Sequence, residues 1–221
     1  MEVKRDEALE EQVFNNIRSI VDVPRDGIHL SDLIYCSRKA YFRKKGLAPT
    51  PSKELCLLWL TGYAFQAYMF PADKEQTFLI DGVDCTPDIP SGIEVKSTRQ
   101  SYKYFDLLTN VHWKRQILGY CKALNKTHYS LVVMFVCGNY APPFPDIQCF
   151  AIQTTQEEID ANWGMVLNQK KKLVEALEQN IPPEPDCEDW EWEYCDCIDL
   201  CPNTVCANKK RVKEMSKRKR S

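Results

Sequence analysis

Eight consecutive residues, Tyr129-Ser130-Leu131-Val132-Val133-Met134-Phe135-Val136, form a run in which only Ser130 is strongly polar. The run is short, rich in β-branched and aromatic side chains, and lacks apolar/polar alternation. It reads as a strand buried on both faces, the kind found inside a sheet covered by helices. The flanking sequence supplies the helices. Residues 7–21 place Leu9, Val13, Phe14, Ile17 and Ile20 at helical spacing. Ser31 or Asp32 caps a second helix expected to run to about Lys45, before Gly46, Pro49 and Pro51 break the chain. Residues 54–70 read as an apolar helix, 76–80 and 92–97 as strands, 110–124 as a helix and 147–153 as a strand. Thr154 with Glu157, or Thr155 with Glu158, forms a capping box opening a long helix to about Gln179, which Pro182, Pro183 and Pro185 end. The expected fold class is α/β, with a mixed central sheet flanked by helices.

Charge is unevenly distributed. Residues 207–221 carry eight basic side chains against one acid, Glu214, a net +7; the whole chain is −2, so the remainder carries −9. A basic tail of this kind suits a polyanionic partner, with a solvated, disordered tail as the equally weighted alternative. No apolar run approaches the roughly 18 residues a membrane span needs, and no apolar stretch follows the charged first residues, so no membrane partner and a cytoplasmic location are expected. Eleven cysteines, an odd number, argue against a disulfide framework in such a chain. Six are scattered, but Cys187, Cys195, Cys197, Cys201 and Cys206 crowd into twenty residues. Crowded thiols in a reducing compartment suggest a metal site, and thiolates hold iron–sulfur clusters and zinc alike.

The segment Thr86-Pro87-Asp88-Ile89-Pro90-Ser91-Gly92-Ile93-Glu94-Val95-Lys96-Ser97-Thr98 carries the candidate chemistry. Strand side chains alternate, so Glu94 and Lys96 share one side, while Ile93 and Val95 are expected to point into the core. Asp88, across a Pro-Ser-Gly turn, can fold back beside Glu94. Two carboxylates and an amine suit phosphodiester hydrolysis: hard oxygen donors bind Mg²⁺ or Mn²⁺, the ion activates water, and the lysine orients that water or neutralises developing charge. A bare Glu-x-Lys alone is common and weak; the upstream aspartate strengthens it.

These residues resemble the metal-binding core of the RecB-like PD-(D/E)XK nucleases. Gln116 and Tyr120, one helical turn apart, resemble that family's Q-x-x-x-Y helix, which lines the cleft and contacts DNA. His29 to Phe42, containing Cys36, resembles the start of the iron–sulfur exonucleases in this group, which include the fourth CRISPR-associated (Cas) protein family and its phage and viral relatives. The resemblance spans roughly residues 27–201. It implies a [4Fe–4S] cluster held by Cys36, Cys195, Cys201 and a fourth cysteine, for which Cys197 is preferred over Cys187 and Cys206, with zinc as the alternative occupant. It implies a catalytic set of Asp88, Glu94, Lys96, Gln116 and Tyr120, with metal bound by Asp88, Glu94, the Val95 carbonyl and, as a poorer ligand, Gln66. Gln66 stands where the family often has a metal-ligating histidine, a departure that weakens the metal site.

The implied organisation is one nuclease domain over residues 1–206, with its core at about 54–180 and cluster segments at about 27–46 and 187–206, followed by a basic tail over 207–221. The implied activity is metal-dependent exonucleolytic cleavage of single-stranded DNA, commonly 5′ to 3′, in CRISPR adaptation, phage recombination or repair, alone or with other proteins of those pathways. A non-catalytic DNA-binding module with a metal clasp is the alternative, and a zinc-stabilised interaction protein a third reading.

Overall fold

The computed structural model describes residues 5–23, 25–137, 142–188 and 191–201. Cys206 and the basic tail lie outside the described residues. The chain is a mixed α/β fold. Helices α1 (Glu7–Val21), α2 (Leu30–Ile34), α3 (Ser37–Lys44) and α4 (Lys53–Met69) precede strands β1 (Phe78–Ile80), β2 (Val83–Cys85) and β3 (Ile93–Thr98); α5 (Val111–Leu124), β4 (His128–Phe135), β5 (Asp146–Gln153) and α6 (Gln156–Gln179) follow. β4 is the centre of a three-stranded sheet, parallel to β3 and antiparallel to β5. Its position explains its composition. Both edges are paired and Leu131, Val133 and Phe135 are fully buried. None of the helices among the described residues is long and apolar enough to cross a membrane.

Most expected elements form within a residue or two of their expected ends. Thr155 and Glu158, the second of the two candidate pairs, make the capping box of α6, and Thr154 adds a hydroxyl bond to the same Glu158 carboxylate at 2.7 Å. Two expectations need correction. The helix expected from residue 31 to 45 is two helices, because Tyr35 takes an extended conformation (φ −109°, ψ −169°) and the chain restarts at Ser37. Asp32 is not the cap of the first: His29 is, with the Asp32 carboxylate accepting the His29 backbone N–H at 3.0 Å. A hairpin also forms that the sequence did not lead us to expect. β1 and β2 pair antiparallel through Asp81-Gly82, both with positive φ, the backbone that a two-residue Asp-Gly turn requires.

The register also corrects which face is the core. Glu94 pairs with Leu131 and Lys96 with Val133, so both polar side chains share the face of the large cluster containing Leu131, Val133, Phe135, Ile117 and Val166. Val95 pairs with Val132 on the opposite face, where both are buried but outside that cluster. α4 contacts β3, and α1 packs on α4. α5 and α6 pack on each other, and α2 and α3 pack on α6. Gly119 lets α5 and α2 approach: a Cβ there would meet the fully buried Leu30 at 2.5 Å.

Candidate functional site

The turn at 89–93 folds Asp88 back. Ile89 donates to the Ile93 carbonyl at 3.1 Å, and Gly92 (φ 104°) donates to the Ile89 carbonyl at 3.0 Å. Asp88 Oδ2 then accepts the Val95 N–H at 2.8 Å, which fixes the aspartate beside the strand carrying Glu94 and Lys96. Glu94 is completely buried. Its Oε1 accepts from Lys96 Nζ at 2.5 Å, and its Oε2 is buried with no hydrogen-bond partner, while the carboxylate as a whole also feels the Asp88 backbone N–H. Asp88, Glu94 and Lys96 are thus brought together, as the strand alternation and the turn suggest.

Electrostatics follow from burial. Burial pushes the Glu94 carboxyl up to about 7, against the opposing pull of Lys96. Burial likewise raises Asp88, opposed by Lys96 and by the Val95 N–H. For Lys96, burial acts downward, but Glu94 and Asp88 outweigh it and hold the ammonium above its ordinary range. Lys96 is therefore a fixed cation rather than a neutral base, and the carboxylates are short of compensating charge. A buried carboxyl in that condition gains from a cation brought against it.

Aromatic and amide groups wall the cluster. Gln116 Nε2 donates to Tyr120 Oη at 3.0 Å, so the two lie on one face of α5. Burial, followed by the charge of Glu94, raises Tyr120 well above the ordinary phenol range and keeps it protonated. Gln66 reaches from α4 to donate to the Asp88 backbone carbonyl at 3.2 Å and to Glu75 Oε1 at 3.0 Å. Its amide nitrogen faces the site through a backbone contact. Sequence reasoning missed Glu75, whose charge acts on Asp88, and Tyr129, which stacks with Tyr120 at 6.3 Å. Tyr129 was legible only as a core aromatic, and Glu75 sits outside any motif.

A second cluster lies at the carboxyl-terminal segment. Cys36, Cys187, Cys195, Cys197 and Cys201 line one small cavity together with Lys39 and Trp192. Cys36 precedes α3; a hydrogen bond with Cys187 is the largest of the effects that lower its thiol to about 7, with burial opposing. Burial raises Cys195, and raises Cys197 to about 12. Charged anchors hold the segment against α3. Ser37 donates from its N–H and its hydroxyl to Asp186 at 2.7 and 2.9 Å, and Lys39 and Arg43 both reach Asp196, at 2.7 and 3.0 Å. Among the described residues, no three His, Cys, Asp or Glu side chains stand at ion-coordinating spacing, so the thiols surround a space rather than meet at a point. The scattered Cys56, Cys85 and Cys121 are fully buried, as small apolar residues.

No family model and no curated protein matches this chain. Among solved structures, the protein SSO0001 matches with a TM-score of 0.57 at 15% identity, covering 89% of this chain and 98% of its own. At that identity the likeness is one of fold.

Proposed function

We propose that this protein is a metal-dependent nuclease of the RecB-like PD-(D/E)XK type acting on single-stranded DNA, with a thiol-held cluster clasping its two ends. The observation that carries the reading is Glu94 Oε2, a carboxylate oxygen buried without a partner beside Asp88 and Lys96. An orphaned buried acceptor of this kind costs about 1–3 kcal/mol unless something fills the space against it. The donors are hard oxygens, which suit Mg²⁺ or Mn²⁺. Asp88 and Glu94 would hold the ion, with the Val95 carbonyl as a further donor. Bound there, the ion supplies an activated water and charge stabilisation at the phosphate. Lys96, held protonated by its neighbours, orients Glu94 and offers a positive charge to the scissile phosphate. Tyr120, kept protonated, would offer its hydroxyl proton toward bound substrate, and Gln116 fixes its ring by donating to that hydroxyl.

The second site suits a soft, thiophilic group, a [4Fe–4S] cluster or zinc. Cys36, Cys195 and Cys201 are three of the ligands in this reading. The bond between Cys36 and Cys187 favours Cys187 as the fourth over Cys197, preferred from the sequence because it lies inside the loop between Cys195 and Cys201. A ligand joining Cys36 to Cys201 would close a loop around the whole core and add its binding free energy to folding.

End-labelled single-stranded DNA incubated with Mn²⁺ tests the nuclease reading. Wild type should cleave it, and Asp88→Ala, Glu94→Ala and Lys96→Ala should each lower the rate by orders of magnitude while the far-ultraviolet dichroism stays unchanged. A wild type that binds DNA without cutting it, in Mn²⁺ or Mg²⁺, would instead favour the non-catalytic DNA-binding module.

A further inference from the structure

Tyr129, the second residue of β4, is 2% exposed, yet its hydroxyl meets no hydrogen-bond partner. A phenylalanine would fill the same space without the penalty that an unsatisfied buried hydroxyl carries. The ring stands on the face that holds the candidate catalytic groups. Glu94 pairs with Leu131, and Tyr129, two residues earlier on the same strand, projects to the same side. Its Cδ2 lies 3.7 Å from the position a Cβ would take on Gly92, two residues before Glu94. Tyr120 stacks with it, at an interplanar angle of 26°. Burial first, and then the charges of Glu94, Tyr120 and Asp88, raise the phenol far above its ordinary range, so it remains a donor.

Two buried polar atoms in this neighbourhood are therefore unpartnered: the Tyr129 hydroxyl and Glu94 Oε2. One can donate, the other accepts, and they do not bond each other. A buried water needs at least two polar partners, and this pair supplies them. A carboxylate oxygen also has two lone pairs, one for a cation and one for a hydrogen bond. We infer that Tyr129 is a positioning residue of the metal site, holding with Glu94 Oε2, once the ion is bound, a bridging water that orients the carboxylate toward it. The inference rests on the metal-dependent reading above. Ligating carboxylates are generally hydrogen-bonded in turn, and loss of such a support costs about 10–100-fold in metal affinity.

The test is Mn²⁺ titration of the full chain, followed by the paramagnetic resonance of free Mn²⁺, for wild type, Glu94→Gln and Tyr129→Phe, with metal-free urea denaturation of each. Tyr129→Phe should weaken Mn²⁺ binding about 10-fold. It should also leave metal-free stability equal or raised, since it deletes an unsatisfied hydroxyl. A role confined to core packing would not move the Mn²⁺ affinity. If wild type binds Mn²⁺, Glu94→Gln abolishes it, and Tyr129→Phe binds as wild type does, the Tyr129 inference fails while the metal reading stands. If Tyr129→Phe is less stable without metal, or fails to fold, the hydroxyl is satisfied within the core and the inference fails. If wild type binds no Mn²⁺, both fall together.

Discussion

Replacing Glu94 with glutamine in the metal-free protein removes a charge that the fold buries at a cost, and the cost depends on pH. The carboxyl titrates at about 7 in the folded protein against an ordinary 4.5, with burial the largest cause. Below the ordinary value both folded and unfolded chains hold the proton, and Glu94 costs nothing. Between the two values the folded protein keeps a proton that the unfolded chain has released, so stability falls as pH rises. Above the folded value the penalty is constant, at roughly 3 kcal/mol for a gap of this size. About 2 kcal/mol of it should accrue between about pH 5.5 and 8. Other groups also titrate. Asp88 is raised by burial and acts with the same sign in both proteins. Cys36, lowered to about 7 from 9, adds stability as pH rises through that upper window. The informative quantity is therefore the difference in slope between wild type and variant, read from urea denaturation at a series of pH values. Wild type should lose stability relative to Glu94→Gln as pH rises. Parallel curves from about pH 5.5 to 8 would refute the account of Glu94 as a carboxyl charged at the expense of the fold.

Two further outcomes follow from the packing and from the thiols. Gly119→Ala gains roughly 1 kcal/mol of helix propensity, but its methyl would collide with Leu30 Cδ2 and Cδ1 at 2.5 and 2.9 Å. Overpacking at about 1–3 kcal/mol should win, lowering the thermal midpoint by a few degrees, and a raised midpoint would show that α2 and α5 are not so closely packed. Cys36→Ala should purify without iron, sulfide or zinc and with reduced stability, whereas Cys121→Ala, in the buried face of α5, should keep its metal; full metal content in Cys36→Ala would sink the clasp.

Period and punctuation carried most of the fold into view. The unbroken run at β4, the capping box of α6 and the apolar stretch of α4 depend on local composition, and local composition is what a sequence displays. The β1–β2 hairpin escaped because its strands have three residues each, too few for periodicity, although Asp81-Gly82 between apolar residues was a usable turn signal. The orientation of β3 escaped for another reason. Ile93 and Val95 look like its core face because they are apolar, but the face is chosen by pairing with β4, and the larger core lies on the side of Glu94 and Lys96. Burying a carboxylate and an ammonium there contradicts the usual preference for charge at the surface, as functional sites often do. Asp88, Glu94 and Lys96 were legible because they lie within nine residues. Tyr129 and Glu75 join them through tertiary proximity alone.

The break between α2 and α3 ties the two candidate sites together. Tyr35 and Cys36 are adjacent, and extended backbone at Tyr35 turns neighbouring side chains to opposite sides. Cys36 enters the thiol cavity. The Tyr35 ring stacks on His112 at 4.5 Å, and its hydroxyl, raised chiefly by burial, feels the charges of Lys96, Glu191 and Glu94. His112 completes the bridge, with Nδ1 donating to the Ile34 carbonyl at 2.7 Å and Nε2 lying 3.5 Å from Glu191 of the carboxyl-terminal segment. In a continuous helix over these residues, Tyr35 and Cys36 would lie only about 100° apart and could not serve two separated clusters. A ligand that fixes Cys36 therefore also fixes the wall against which Lys96 and Glu94 are set, and losing it should loosen that wall before it unfolds the sheet.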